Sequence, residues 1–182
     1  MVARTTEIRT TEASLMADHL VDIQWCVDCR SEMPDESLIQ QWVELCLKEL
    51  SLKELKSKDL NFESVEFCLR VVNEAEIQSL NRQYRGQDKP TNVLSFPNEY
   101  FGKRMADENG RILLGDIIIC KEIVQAESQC QGKSVDAHFA HLLIHGLLHL
   151  QGYDHSMDDQ ATEMETIEIR LMQNLGYEDP YV

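Results

Sequence analysis

A chain of 182 residues with 43% hydrophobic and 27% charged side chains can build one domain with a real core, which excludes intrinsic disorder and a small disulfide-stapled scaffold. Its formal net charge of −15 excludes a simple nucleic-acid-binding module, whose affinity comes chiefly from basic residues. No apolar run approaches the roughly 20 residues that cross a bilayer, and Arg4, Glu7, Arg9 and Glu12 interrupt any signal-peptide core; the expectation is a cytoplasmic protein with reduced, mostly buried cysteines.

Residues 1–19 are expected to form a flexible N-terminal extension and residues 20–182 the folded domain. From His19 to Asp28, apolar Leu20, Val21, Ile23, Trp25 and Val27 mix with polar residues in partial alternation, a strand pattern. Cys26 and Cys29 have the C-x-x-C spacing, but no second pair follows to complete a zinc site. They also close a strand, where a redox motif would open a helix. Pro34 marks a helix start, with Ile39, Val43, Cys46 and Leu50 at helical spacing. Val65, Phe67, Leu69 and Val71 alternate with Glu66, Cys68 and Arg70, a clear strand. Asn73-x-x-Glu76 reads as a capping box before a helix carrying Ile77, Leu80 and Tyr84, which Arg85-Gly86 ends. Val93 to Pro97 is a short strand, Asn98 to Asn109 a polar mobile loop. Ile112 to Cys120, apolar except for Gly115 and Asp116, reads as a central strand buried on both faces. Two helices close the chain. One runs from the N-cap Ser134 to Leu150; the other covers Asp159 to Leu175, with Met164, Ile167, Leu171 and Leu175 inward and Gly176 as its stop. The order implies an α+β domain, a sheet with helices packed on it.

Five of the six His residues fall between 138 and 155. On a helix, His138, His141, His145 and His149 share a stripe about 80° wide. Unpaired imidazoles make an awkward apolar face, and a metal resolves it. His145 and His149 stand at i, i+4, Gly152 lets the chain leave the helix and turn, and His155 returns as a third ligand. Three ligands leave a fourth position open, the catalytic rather than the structural arrangement of Zn²⁺. The spacing matches the metzincin pattern H-E-x-x-H-x-x-G-x-x-H, except that its general-base Glu is Gly146 here, which disfavours a metal-dependent peptidase. His138 and His141 read first as helix residues hydrogen-bonded near the sheet, with a spare-ligand or proton-transfer role as the alternative. Asp154 either orients a ring or caps the next element. Asp116 either lines the cleft or pairs with backbone.

These residues resemble the YbeY-type rRNA maturation factors, single-strand-specific endoribonucleases of bacteria. The resemblance rests on His145-Gly-Leu-Leu-His149-Leu-Gln-Gly-Tyr-Asp-His155, on Tyr84-Arg85, on Lys89-Pro-Thr-Asn-Val-Leu-Ser-Phe-Pro97, on Leu114-Gly-Asp-Ile117 and on the ending Leu175-Gly-Tyr-Glu-Asp-Pro-Tyr181. It covers residues 20 to 182. It implies a zincin-like fold with a mixed sheet of about four strands and one Zn²⁺ on the three His. It also implies processing of the 16S rRNA 3′ end, ribosome quality control and association with the small ribosomal subunit. The family's functionally important Arg corresponds to Arg85. A planar guanidinium there can hold two non-bridging phosphate oxygens as charge develops. Lys89 and Arg82 could guide RNA phosphates or simply solvate a surface. The alternative is a ribosome assembly factor with a mainly structural metal, docking through its acidic surface. Ni²⁺ and Co²⁺ also suit a three-His site.

Overall fold

The computed structural model describes residues 19–28, 32–50, 64–98 and 107–182. The expected N-terminal extension up to residue 18, Cys29 and most of the loop between Asn98 and Asn109 lie outside the described residues. In chain order the elements are β1 (Leu20–Trp25), α1 (Glu36–Glu49), β2 (Ser64–Val72), α2 (Glu74–Arg85), β3 (Val93–Pro97), β4 (Arg111–Cys120), α3 (Lys121–Gln131), α4 (Val135–Leu150) and α5 (Asp158–Asn174). Among the described residues, no helix is long and apolar enough to cross a membrane.

The sheet is mixed, in the order β1-β2-β4-β3. β1, β2 and β4 run parallel, and β3 pairs antiparallel with β4 as an edge strand. Parallel neighbours need a crossover, and α1 supplies the one between β1 and β2. The strand period places Val65, Phe67, Leu69 and Val71 on one face, all fully buried against α1, α4 and α5. Each such side chain is worth about 1.5–3 kcal/mol of burial. A smaller cluster of Val72, Ile77, Leu94, Ile118 and Cys120 lies under α2 on the opposite face.

Strand β4 is buried on both faces from Ile117 to Cys120, as expected, but not across its first half. Glu66 pairs with Leu113 and Phe67 with Gly115, so Leu114 is an extra residue, a bulge. The bulge resets the alternation. Ile112 and Leu114 before it, and Ile117 and Ile119 after it, all face the main core, while Leu113 (47% exposed) and Asp116 face out. Gly115 makes this possible: its φ is +132°, and a Cβ there would stand 2.1 Å from the Phe96 carbonyl oxygen.

Local signals in the helices hold with two differences. Asn73 accepts from the Glu76 N–H at 2.9 Å, but Glu76 Oε1 pairs with Arg70 at 2.8 Å, so the capping box is closed on one side only. Helix α3 was not anticipated. Its apolar stripe is narrow, its buried positions being Lys121, Val124 and Ser128, and it springs from Cys120 with no side-chain cap. The cysteines also differ from expectation. Cys46 and Cys120 are buried, whereas Cys26 and Cys130 are exposed, and all the described ones are free thiols.

Helix α4 starts on the expected N-cap, Ser134, which accepts from the Ala137 N–H. It is buried on most sides, as its nearly continuous apolar sequence requires. Where it crosses β4, Gly146 is in contact with Ile117; a Cβ at Gly146 would stand 2.9 Å from Ile117 Cγ2. The position that holds the metzincin Glu therefore faces the sheet with no space for a side chain.

Candidate metal centre

One turn of α4 separates His145 from His149, and the helix ends directly after them. The Gly152 N–H donates to the His149 carbonyl at 3.0 Å and the Tyr153 N–H to the Leu148 carbonyl at 3.1 Å. With Gly152 at φ 94°, this is a Schellman stop. It turns the chain so that His155 comes back over the end of the helix. The three side chains each bring one ligand atom to within 4.8 Å of the others. Ring centroids lie 4.6 Å apart for His145 and His149, 5.0 Å for His149 and His155, and 5.5 Å for His145 and His155.

The protons favour a cation. His145 Nδ1 lies 2.8 Å from Glu168 Oε1, and His149 Nδ1 lies 3.0 Å from the Tyr153 carbonyl oxygen. A carboxylate and a carbonyl only accept, so each Nδ1 donates and each neutral ring turns a bare Nε2 lone pair inward. Those two Nε2 atoms are 3.1 Å apart. Two facing lone pairs repel, and a cation between them removes the repulsion. Two ligands of a tetrahedral Zn²⁺ at its usual bond length stand about 3.4 Å apart. The donor set and its spacing fit the ion. Burial first, then the neighbouring His145 and His155, push the His149 imidazolium pKa down, which favours the neutral form that ligates.

Glu168, on α5, is the site residue that sequence reasoning missed. It is fully buried and receives His145, His141 (Nε2 at 3.2 Å) and the Tyr181 hydroxyl. Burial pushes its carboxyl pKa up, but these hydrogen bonds outweigh burial and hold it down at about 2. A signal was available: Glu168 stands four residues after Met164 and three before Leu171, so a carboxylate interrupts the inner stripe of α5. A buried carboxylate opposite a helix of unpartnered imidazoles is a ready pair.

The remaining candidates separate clearly. His141 meets Glu168, and His138 meets Glu127 of α3 at 2.7 Å; neither joins the three-imidazole cluster. The Asp154 carboxylate accepts from the His155 N–H and the Ser156 hydroxyl, which lower its pKa and fix the turn. Asp116 shares the outer face of β4 with Ile118, opposite α4. Arg85 lies in the last turn of α2, exposed, with no hydrogen bond or ion pair to a described residue. Its neighbour Tyr84 stacks edge-on with Phe96 at 5.0 Å, while Gly146, beside His145, contacts Ile117, the partner of Ser95. Lys89 is exposed, and Arg82 approaches Asp88 at 4.0 Å.

The fold is shared with a known protein. Over 86% of its length the chain is similar to 89% of the solution structure of the Thermotoga maritima protein TM1509, with a TM-score of 0.50 and 26% sequence identity. Residues 27–176 match the family model described as endoribonuclease YbeY. With a matched span that includes all three clustered imidazoles and Arg85, the chain belongs to the endoribonuclease YbeY family, enzymes that cut RNA in rRNA processing.

Proposed function

We propose that this chain is a Zn²⁺-dependent endoribonuclease of single-stranded RNA. In this reading His145, His149 and His155 hold the ion and Arg85 steadies the scissile phosphate. The observation that carries it is the inward-facing pair of Nε2 lone pairs, each fixed by an acceptor behind its ring. When bound, the ion supplies Lewis-acid polarisation of the phosphate and of the attacking water. The chain's own residues do the rest. Glu168 and the Tyr153 carbonyl hold two rings in the ligating tautomer. The Arg85 guanidinium is exposed and, among the described residues, has no hydrogen-bond or ion-pair partner, which suits it to take two non-bridging oxygens. Tyr84, next to Arg85, packs on Phe96 of the edge strand β3, so in this reading an unpaired RNA strand laid along that edge reaches both the guanidinium and the imidazoles.

The family and the site favour precursor 16S rRNA as substrate, cut near its 3′ end in the cytoplasm, with the small ribosomal subunit presenting it. From Asp154 onward, leaving out the buried Glu168, seven Asp or Glu face one Arg, a poor surface for free RNA but a suitable one for basic ribosomal proteins. That acidity also supports the second reading, an assembly factor whose metal is structural.

The test is cleavage of single-stranded rRNA fragments by protein stripped of metal and then restored with Zn²⁺. Restoration should return activity. Arg85→Ala should fold normally and cut about 10²–10³-fold more slowly, the usual loss for one charge-stabilising donor. Activity indifferent to both changes points to a contaminating nuclease. A folded His149→Ala variant that complements a deletion strain supports the assembly-factor reading instead.

A further inference from the structure

The chain that follows α5 runs back to the metal centre and is fastened there at several points. The Tyr177 N–H closes on the Met172 carbonyl at 2.9 Å, and its ring packs edge-on to Trp42, with centroids 6.0 Å apart. Lys133 Nζ donates to the Pro180 carbonyl. The Tyr181 hydroxyl then donates to Glu168 Oε2, and the Tyr181 ring stands edge-on to His141 at 5.4 Å and 80°. A ring that is 49% exposed thus delivers its one polar atom to a carboxylate closed to solvent.

The division of labour on that carboxylate is informative. Oε1 faces His145 Nδ1, whereas Oε2 takes Tyr181 and His141. The terminal torsion of a Glu side chain is broad and roughly two-fold, so the group turns unless both oxygens are held. With Oε2 held, Oε1 is committed to His145, and the His145 ring stays aimed. Removing the hydroxyl leaves Oε2 with the His141 contact alone, at 3.2 Å, one partner where the buried anionic oxygen had two. The carboxylate is then held less firmly, and the His145 ring is aimed less sharply.

We infer that Tyr181 is a positioning residue of the metal centre: by holding Glu168 Oε2 it commits Oε1 to His145, so the segment Tyr177–Val182 sets the affinity for the ion. This rests on the three-imidazole reading above. Tyr181→Phe separates the hydroxyl from the packing, because the ring on His141 remains. The readouts are the Zn²⁺ dissociation constant by chelator competition, the visible spectrum of the Co²⁺-loaded protein, and the melting temperature of the metal-free protein. Partners of this kind are worth about 10–100-fold in metal affinity. Tyr181→Phe, one bond further out, should weaken Zn²⁺ about 10-fold and alter the Co²⁺ bands, with a fall in the metal-free melting temperature no larger than the roughly 2–4 °C that one lost hydrogen bond causes at this chain length. Glu168→Gln should weaken Zn²⁺ at least as much. A Tyr181→Phe protein with undiminished affinity and an unchanged Co²⁺ spectrum overturns the inference. So does a loss of affinity that comes with a metal-free melting temperature lowered well beyond that range, which marks general loosening of the fold. Failure of the unaltered protein to bind Zn²⁺ overturns the three-imidazole reading itself, and this inference with it.

Discussion

Gly146→Ala tests how α4 is seated, and its sign is set by two opposing effects. In an open helix the change stabilises by about 0.5–1 kcal/mol, since Gly loses more conformational freedom than Ala. Here the new Cβ would stand 2.9, 3.0 and 3.2 Å from Ile117 Cγ2, Cδ1 and Cγ1. Ile117 is fully buried on a central strand and has little freedom to retreat, and forcing a methyl into such a core costs about 1–3 kcal/mol. Crowding should win by about 1 kcal/mol. At this chain length that lowers the melting temperature by about 2–4 °C. Urea unfolding of the metal-free protein is the appropriate assay, because bound metal would add its own stabilisation, and an unchanged m-value would show that stability alone has moved. Pairing the change with Ile117→Val strengthens the test. That substitution removes Cδ1 and alone costs about 0.5–1.5 kcal/mol. If crowding is the cause, the double variant should lose less than the sum of the singles. A Gly146→Ala protein more stable than the parent, or strictly additive effects, would refute the account. The same contact bears on chemistry: Gly146→Glu cannot install a peptidase base here without displacing the strand beneath it.

Gly115→Ala should be far more severe. Its Cβ would fall 2.1 Å from a backbone oxygen and 2.8 Å from the Asn98 nitrogen, at φ +132°, and neither neighbour is a side chain that can swing aside. A loss above about 3 kcal/mol is expected, seen as insoluble expression or early urea unfolding; a soluble variant of parental stability would contradict the bulge. Glu168→Gln predicts a pH signature. The folded carboxyl sits at about 2 against an ordinary 4.5, so its stabilising contribution is complete above the unfolded value and disappears as pH falls through the folded one. In urea unfolding, the stability gap between parent and variant should hold near about pH 6 and narrow below about pH 4.5. A gap independent of pH would mean that the carboxylate's charge is not what matters.

The parts of this centre legible in the sequence are those one helix can express. The i, i+4 spacing of His145 and His149, the Gly152 stop and the return of His155 are local, so the period of 3.6 and one glycine suffice to place them. Glu168 and Tyr181 reach the centre through packing of α5 and the following segment against α4, a contact that no single-helix period encodes. In the sheet, β2 was legible because its alternation is clean. In strand β4 both faces are buried from Ile117 to Cys120, as the apolar run implied; what that run hid is the extra residue at Leu114, which switches the parity and leaves Leu113 and Asp116 exposed. Helix α3 was missed because it buries only a narrow stripe and lacks a capping side chain. Asn73 shows the limit of motif reading, since Glu76 had the right spacing but a stronger partner in Arg70.

The three clustered imidazoles lie within one short stretch, from 145 to 155, whereas the sheet joins residues far apart in sequence, Leu20 with Glu66 and Ser64 with Arg111. The two assemble on different terms. Closing a chelate loop of that size costs little entropy, while parallel pairing over long separations is slow. An ion can therefore be captured by the helix end and its turn before the β-sheet is complete. In the proposed reading Arg85 works with that ion, and Tyr84 beside it packs on Phe96 of β3, so the pair is complete only once β3 has docked on β4. Metal loading and RNA-cutting competence are consequently separable milestones in the maturation of this chain, the first governed by ion supply and the second by strand assembly.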